Sequence, residues 1–295
     1  MSANLAGLPV DAETCFSDHE GRYKKSLEKR QTKVLEKLSP ALSSLLEPGE
    51  RVLLAVPACS PAGVVEQLTT GWVIYYLKRC VLVFTDRRIL HVLTRPNLTP
   101  RGSTAEVRYG DVAEAKVGFL GRNLTLVYHD RHKDVFTQLD SAGAKKMKAL
   151  LPPLVGGSGP RGQGFRQHLC PRCATRLPAD TYRCPNCFLE FKTPEAALKY
   201  SIVFPGGGYF YTGHPLLGIS DALVETVLIV ALVASVVGLL SGPPGADDAA
   251  TLAFVAVALV LEKLVSVLHA RHYVKEYLPA EREIRPLDGG QSRVG

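Results

Sequence analysis

The sequence predicts a multidomain α+β protein with a strand-rich soluble front, a small metal-built module and a helical hairpin suited to a membrane. Three observations carry that prediction. Eight short β-like runs fall between residues 51 and 139, two C-x-x-C pairs follow, and two long apolar stretches lie near the end. The 46% hydrophobic content of the 295 residues is unevenly divided, polar before Pro152 and apolar behind.

Residues 1–46 read as an N-terminal amphipathic helical region. From residue 20 onward, Tyr23, Leu27, Val34, Leu35, Leu38, Leu42, Leu45 and Leu46 recur at three- and four-residue steps, which places them on one face. Pro40 points to two shorter helices rather than one. The stripe is expected to pack on the following domain, with dimerisation as the alternative. Seven Lys/Arg lie between Arg22 and Lys37 against Glu28 and Glu36, within an overall formal charge of +7. A solvated helix face is the ordinary reading of such a run; nucleic acid or anionic lipid is the other. Met1 to Val10 lacks the basic start of a signal peptide, so residues 1–200 are expected in the cytoplasm. In a reducing compartment Cys15, Cys59 and Cys80 are expected as small buried hydrophobes.

The β-like runs are RVLLAVPA (51–58), GWVIYYL (71–77), CVLVFT (80–85), RILHVLT (88–94), TAEVRY (104–109), AEAKVGF (113–119), NLTLVYH (123–129) and DVFTQL (134–139). Turn signals such as Asp86-Arg87, Gly110-Asp111 and Asp130-Arg131 separate them. A helix over Ser141–Leu151 follows, with Ser141 as its N-cap and Pro152-Pro153 as its stop. The Pro48-Gly49-Glu50 entry, CVLVFTDRRIL (80–90), VRYGDVAEAKV (107–117) and this closing helix resemble the bacterial pleckstrin-homology-like (PH-like) domains. The resemblance implies a β-sandwich or barrel with a capping helix over residues 47–151. Thr85-Asp86-Arg87-Arg88 is its most specific piece and reads as turn chemistry, with both arginines in solvent. In eukaryotic relatives of that fold, basic residues in the loop between the first two strands hold lipid phosphate. The corresponding CSPAGVVEQLTT (59–70) has none, so the resemblance argues for a protein partner and against a phosphoinositide.

Residues 152–168 are a Gly/Pro-rich linker, and residues 169–192 carry the strongest chemical signal. Cys170-Pro171-Arg172-Cys173 and Cys184-Pro185-Asn186-Cys187 are two knuckles ten residues apart, close enough for the chain to double back and enclose one structural Zn²⁺ in four sulfurs. The segment resembles a minimal zinc ribbon. It departs from the usual pattern in placing Ala174 and Phe188, not Gly, after the second cysteine of each knuckle. Iron in a four-thiolate site and paired redox C-x-x-C motifs are the competing readings; the short spacer and the lack of a thioredoxin-like background disfavour them. His168 reads as a bystander.

Residues 199–216 form a Gly-rich interfacial segment. Its Pro205, Gly206, Gly208, Tyr211 and Gly213 resemble the PGxGxxYxG signature of short membrane domains in bacterial proteins, which implies no particular reaction. Two transmembrane helices follow within residues 217–270, at about 217–240 and 249–269. Ala222–Leu240 would span about 28 Å at ~1.5 Å per residue, close to the ~30 Å hydrocarbon core. Lys192 and Lys199 before the pair, and Arg271, Lys275 and Arg282 after it, place both termini in the cytoplasm by the positive-inside rule, with residues 271–295 as a tail. The location expected is therefore the bacterial inner membrane. Asp221, Glu225, Glu262 and Lys263 are polar groups at membrane depth, with Glu225–Lys263 a plausible pair.

Function follows only as an expectation: a non-enzymatic adaptor or sensor in the membrane, binding a protein partner or the membrane surface. The first alternative is a subunit of a membrane enzyme or transporter that uses Asp221, Glu225 and Glu262 with His269 and His272. The second is nucleic-acid binding through the basic helix and the ribbon. No catalytic constellation emerges, and oligomeric state is not legible.

Overall fold

The computed structural model describes residues 2–63, 66–68, 71–118, 122–155, 162, 164–241 and 246–281. It divides into two compact units, the first built from residues up to Glu190 and the second from Phe191–Ala280.

The first unit is strand-rich. Strands β1 (Ser2–Leu5) and β2 (Leu8–Asp11) form a hairpin ahead of α1 (Ala12–Cys15) and α2 (Lys25–Leu42). Next come β3 (Val52–Cys59), the single helical turn α3 (Ile74–Leu77), β4 (Arg79–Thr85), β5 (Arg88–Thr94) and β6 (Pro100–Arg108). A second run comprises β7 (Val112–Val117), β8 (Leu124–Tyr128), β9 (Lys133–Phe136) and α4 (Ser141–Val155), and β10 (Gln167–Leu169) follows. Two sheets result, a seven-stranded one ordered β1-β2-β3-β4-β5-β6-β10 and a three-stranded one ordered β7-β8-β9.

The central strands are apolar at consecutive positions because both of their faces are covered. Leu82 and Phe84 of β4 point into a core shared with β7–β9 and α4, while Val81 and Val83 point into a second core beneath β1, β2 and α2. Helix α2 supplies Val34, Leu35, Leu38 and Leu42 to that second core, so the stripe from Val34 onward packs on its own domain, whereas Tyr23 precedes the helix and is 60% exposed. Pro40 lies inside α2 without dividing it. Burial of Leu38 and Leu42 on either side holds the helix together across the hydrogen bond that proline lacks. Cys15, Cys59 and Cys80 are buried, as expected of small hydrophobes.

Several expectations are corrected. GWVIYYL forms a 3-10 turn and α3, not a strand. β3 pairs directly with β4, from Val52↔Thr85 to Cys59↔Arg79, which leaves the run no place in the ladder, and Tyr75 and Tyr76 face outward. The N-cap of α4 is Asp140, whose Oδ1 accepts from the Gly143 amide at 2.8 Å. Pro152 and Pro153 fall inside α4, which runs on to Val155 because Leu154 and Val155 still pack against the core. The rest of the expected linker is not all irregular, since Gln167–Leu169 pairs antiparallel with Thr104–Glu106. Residues 156–161 and 163 lie outside the described residues.

Arg88 was expected in solvent and is instead the centre of a buried charge network. It is 3% exposed, and its guanidinium donates to Glu50 at 2.8 and 3.0 Å, to the Leu45 carbonyl at 2.7 Å and to Glu106. Thr85 donates to Glu50 at 2.7 Å. The TDRR turn therefore pins the chain entering β3 to the turn between β4 and β5.

The second unit is helical: α5 (Pro194–Val203), α6 (Gly207–Thr212), α7 (Pro215–Ser241) and α8 (Ala246–Val274). The last two are long and apolar enough to cross a membrane. Among the described residues their polar partners run antiparallel: Glu225 meets Lys263, and Asp221, one turn earlier, meets Ser266. Residues 242–245 of the expected loop and 282–295 of the expected tail lie outside the described residues.

Candidate metal centre

The two C-x-x-C segments fold into near-identical knuckles. In the first, the Cys170 amide donates to Thr175 O at 2.8 Å and the Ala174 amide to Cys170 O at 2.9 Å. In the second, the Cys184 amide donates to Leu189 O at 2.9 Å and the Phe188 amide to Cys184 O at 3.1 Å. Each turn needs a left-handed residue after its second cysteine, and Ala174 (φ 56°) and Phe188 (φ 58°) take that conformation. The substitution of glycine noted in the sequence therefore leaves the knuckle intact, at a backbone strain of roughly 1–2 kcal/mol per residue.

All four sulfurs lie within 4.8 Å of one another. Cys170–Cys187 and Cys173–Cys184 are each 3.5 Å apart, Sγ to Sγ. A tetrahedral shell with Zn–S of ~2.3 Å has sulfur–sulfur edges of about 3.8 Å, so the thiols fit a zinc ion with little movement. Their ionisation is split. Burial pushes the Cys170 thiol up, and Cys187 likewise to about 11. At Cys173 burial is outweighed by the Thr175 hydroxyl and amide, and the thiol is drawn down to about 7. Four thiolates at this separation repel one another, and a cation at their centre is what lets all four ionise. His168 stands outside the sulfur cluster, in β10.

The module is bound to the sheet at two levels. Strand β10 runs directly into Cys170 and adds itself to β6, and Leu169 bridges to Arg176 on its other side. Arg176 Nε then donates to Glu106 Oε1 at 2.7 Å, so one buried carboxylate serves both Arg176 and Arg88. The sequence offered no signal for this, because Glu106 reads as an ordinary polar residue in a strand. At the opposite knuckle Phe188 is 61% exposed, with the Arg183 guanidinium 5.0 Å above its ring.

In the second unit the Gly-rich motif is a packing device. Gly206 has φ 67°, and a Cβ there would lie 2.1 Å from Gly218 O; one on Gly208 would lie 2.0 Å from Ser201 Oγ. The Gly-rich segment expected at 199–216 takes in the end of α5, a break at Phe204–Gly206 and α6, with Gly207 and Gly208 inside α6. Pro205 sits in that break, Gly213 caps α6 at φ 81°, and Tyr211 Oη accepts from the Thr193 amide at 3.0 Å. Asp221, Glu225, Glu262 and Lys263 converge. Lys263 Nζ lies 2.7 Å from Glu225 Oε2, and the three acids each bring a carboxylate oxygen within 4.8 Å of the others. His269 is not among them; its Nδ1 is hydrogen-bonded to Tyr209 Oη at 2.6 Å. His272 is likewise outside the cluster.

No protein-family model and no curated protein matches the chain. Among solved structures, the C-terminal domain of an unknown protein from Leishmania infantum is similar over 42% of this chain and 94% of that one, with 13% identity and a TM-score of 0.25. A likeness at that score carries no argument about either fold or function.

Proposed function

We propose that this chain is a non-enzymatic, membrane-anchored adaptor in which a PH-like domain and a zinc ribbon form a single recognition body. The observation that carries the reading is the fusion of ribbon and sheet through β10 and the shared Glu106, which makes the ribbon an extension of the domain rather than a separate bead. The PH-like assignment draws support from the order of elements. Four meandering strands, β3–β6, and three more, β7–β9, precede one closing helix. A shell of four cysteines leaves no open position for water, so zinc would be structural. The anchor is the α7–α8 pair, with both termini on the cytoplasmic side of a bacterial inner membrane by the basic flanks.

The partner surface we assign is the second knuckle. Phenylalanine and arginine are both enriched in protein interfaces relative to the rest of the surface, and here the two stand together and exposed. In-cell crosslinking with mass spectrometry on wild type and a Phe188→Ala/Arg183→Ala variant tests this. A specific crosslinked protein that disappears in the variant, with bound zinc unchanged, is the expected result. Identical crosslinks in both, or crosslinks to lipid alone, would overturn it. A second reading, chemistry inside the helical pair, is favoured by the convergence of three carboxylates there.

A further inference from the structure

The acidic cluster of the second unit has more negative charge than its neighbours neutralise. Asp221, Glu225 and Glu262 bring three carboxylates to one point, and Lys263 is the only cation bonded to them among the described residues. With all three ionised, the cluster carries two negative charges that Lys263 leaves unmatched. Glu225 is 0% exposed, and its Oε2 takes Lys263 while its Oε1 has no hydrogen-bond partner among the described residues. The buried Oε2 of Glu262 is in the same position. An unpartnered carboxylate oxygen out of reach of water is strongly unfavourable unless a cation or proton meets it.

The surroundings of Ser266 point the same way. Its hydroxyl lies 2.9 and 2.8 Å from the two Asp221 oxygens and 2.9 Å from Glu262 Oε1. A hydroxyl has one proton to donate, so it satisfies only one of these acceptors. The other contacts bring lone pair to lone pair and need a proton or a cation between them.

We propose that Asp221, Glu225, Glu262 and Ser266 form a binding site for one hard divalent cation of the Mg²⁺ or Mn²⁺ type. Every donor is oxygen, the choice of hard cations, in contrast to the all-sulfur set of the zinc site. Lys263 occupies one oxygen of Glu225 and sets the remaining charge at minus two, which matches a divalent ion. Lys263 is itself held by Ser201 O at 2.7 Å, so it orients the Glu225 carboxylate without competing for Oε1.

The test uses the full chain in nanodiscs, loaded with one zinc and titrated with MnCl₂ while free Mn²⁺ is followed by electron paramagnetic resonance. One saturable Mn²⁺ per chain is expected, displaced by Mg²⁺. Loss of an outer partner alone weakens metal sites 10–100-fold, so Glu262→Gln and Asp221→Asn should each weaken binding at least about tenfold, with zinc content unchanged. A wild type that binds no Mn²⁺ would overturn the proposal and leave protons shared among the carboxylates as the explanation. Wild-type affinity in both variants would overturn it equally. Because a variant can lose binding by misfolding, wild-type protein gives an independent reading. With Fe²⁺, ascorbate and peroxide, backbone cleavage should concentrate at residues 221–225 and 262–266, and cleavage confined to other positions would sink the assignment.

Discussion

The two units of this chain solve the same problem with opposite polarity. In the first, the fully buried residues are Leu35, Leu38, Leu82, Phe84, Ile89 and their neighbours. In the second, Leu216 and Leu240 are each 83% exposed, whereas Glu225, Ser201, Thr212 and Ser266 are buried. A core helix of a water-soluble protein hides its apolar residues; α7 and α8 display theirs. The difference is the pattern that a unit built for lipid requires, apolar residues outside with small residues and polar contacts inside. Even the first unit is not uniformly apolar within. Its Arg88–Glu50–Glu106 network seals charge inside, and the metal module attaches there.

The largest expected effect comes from removing the metal. Structural zinc in small finger peptides is worth roughly 10–16 kcal/mol, and the ribbon has little core of its own. Cys170→Ser/Cys173→Ser, or a strong chelator, should unfold residues 169–190 while leaving α7 and α8 intact. Hydrogen exchange that accelerates only in the ribbon and β10 is the expected pattern; faster exchange across the helices as well would break the separation of the units. Next in size is Glu106→Gln, which leaves Arg88 with Glu50 as its buried carboxylate and removes the charge that the partly exposed Arg176 meets. Breaking a buried ion pair from one side costs ~3–5 kcal/mol. Denaturation followed through Trp72, the only tryptophan, should show that loss.

On the second unit, Val227→Arg tests the inverted polarity directly. Val227 is 67% exposed, and an arginine at that kind of site should be harmless in water but cost ~2.5–3.5 kcal/mol for insertion in lipid. Membrane fractionation and a glycosylation-tag insertion assay report which holds. Smaller again, Ala174→Gly should relieve the left-handed strain at the first knuckle and tighten zinc by about 1–2 kcal/mol, measured by chelator competition.

The smallest effect is a pH dependence. At Asp140 burial, which raises its pKa, is outweighed by hydrogen bonds from Arg30 and the Gly143 amide, and the carboxyl sits below its ordinary 3.8. A carboxyl with a depressed folded pKa adds stability that is complete above the ordinary value and is lost as pH falls through the folded one. The Asp140 side chain is 31% exposed, so solvent limits the gain. The stability difference between wild type and Arg30→Ala should be constant at neutral pH and shrink below about pH 4.

How much of this was legible in the sequence depends on where the energy sits. The four cysteines and both apolar helices could be read directly, because their signals are local: spacing in one case, length and composition in the other. GWVIYYL misled, because aromatic and β-branched residues favour strands only where a ladder has room for them. β1, β2 and β10 run to only three or four residues and are defined by their partners, which no local pattern records. Arg88 looked like a solvated charge and Glu106 gave no signal, because burial of a charge is decided by elements distant in the chain. The glycine motif was visible, but its meaning required the neighbouring backbone that a Cβ would strike.

The attachment of β10 has a consequence for the life of the protein in the cell. Among the described residues, strand β6 is paired on its outer side by the three residues that lead into Cys170. If the metal is absent and the ribbon melts, those residues lose their anchor and β6 becomes an open edge, a template onto which a second chain can add. Zinc would thus act as a guard against aggregation, and scarcity of the ion would show itself first as insoluble protein.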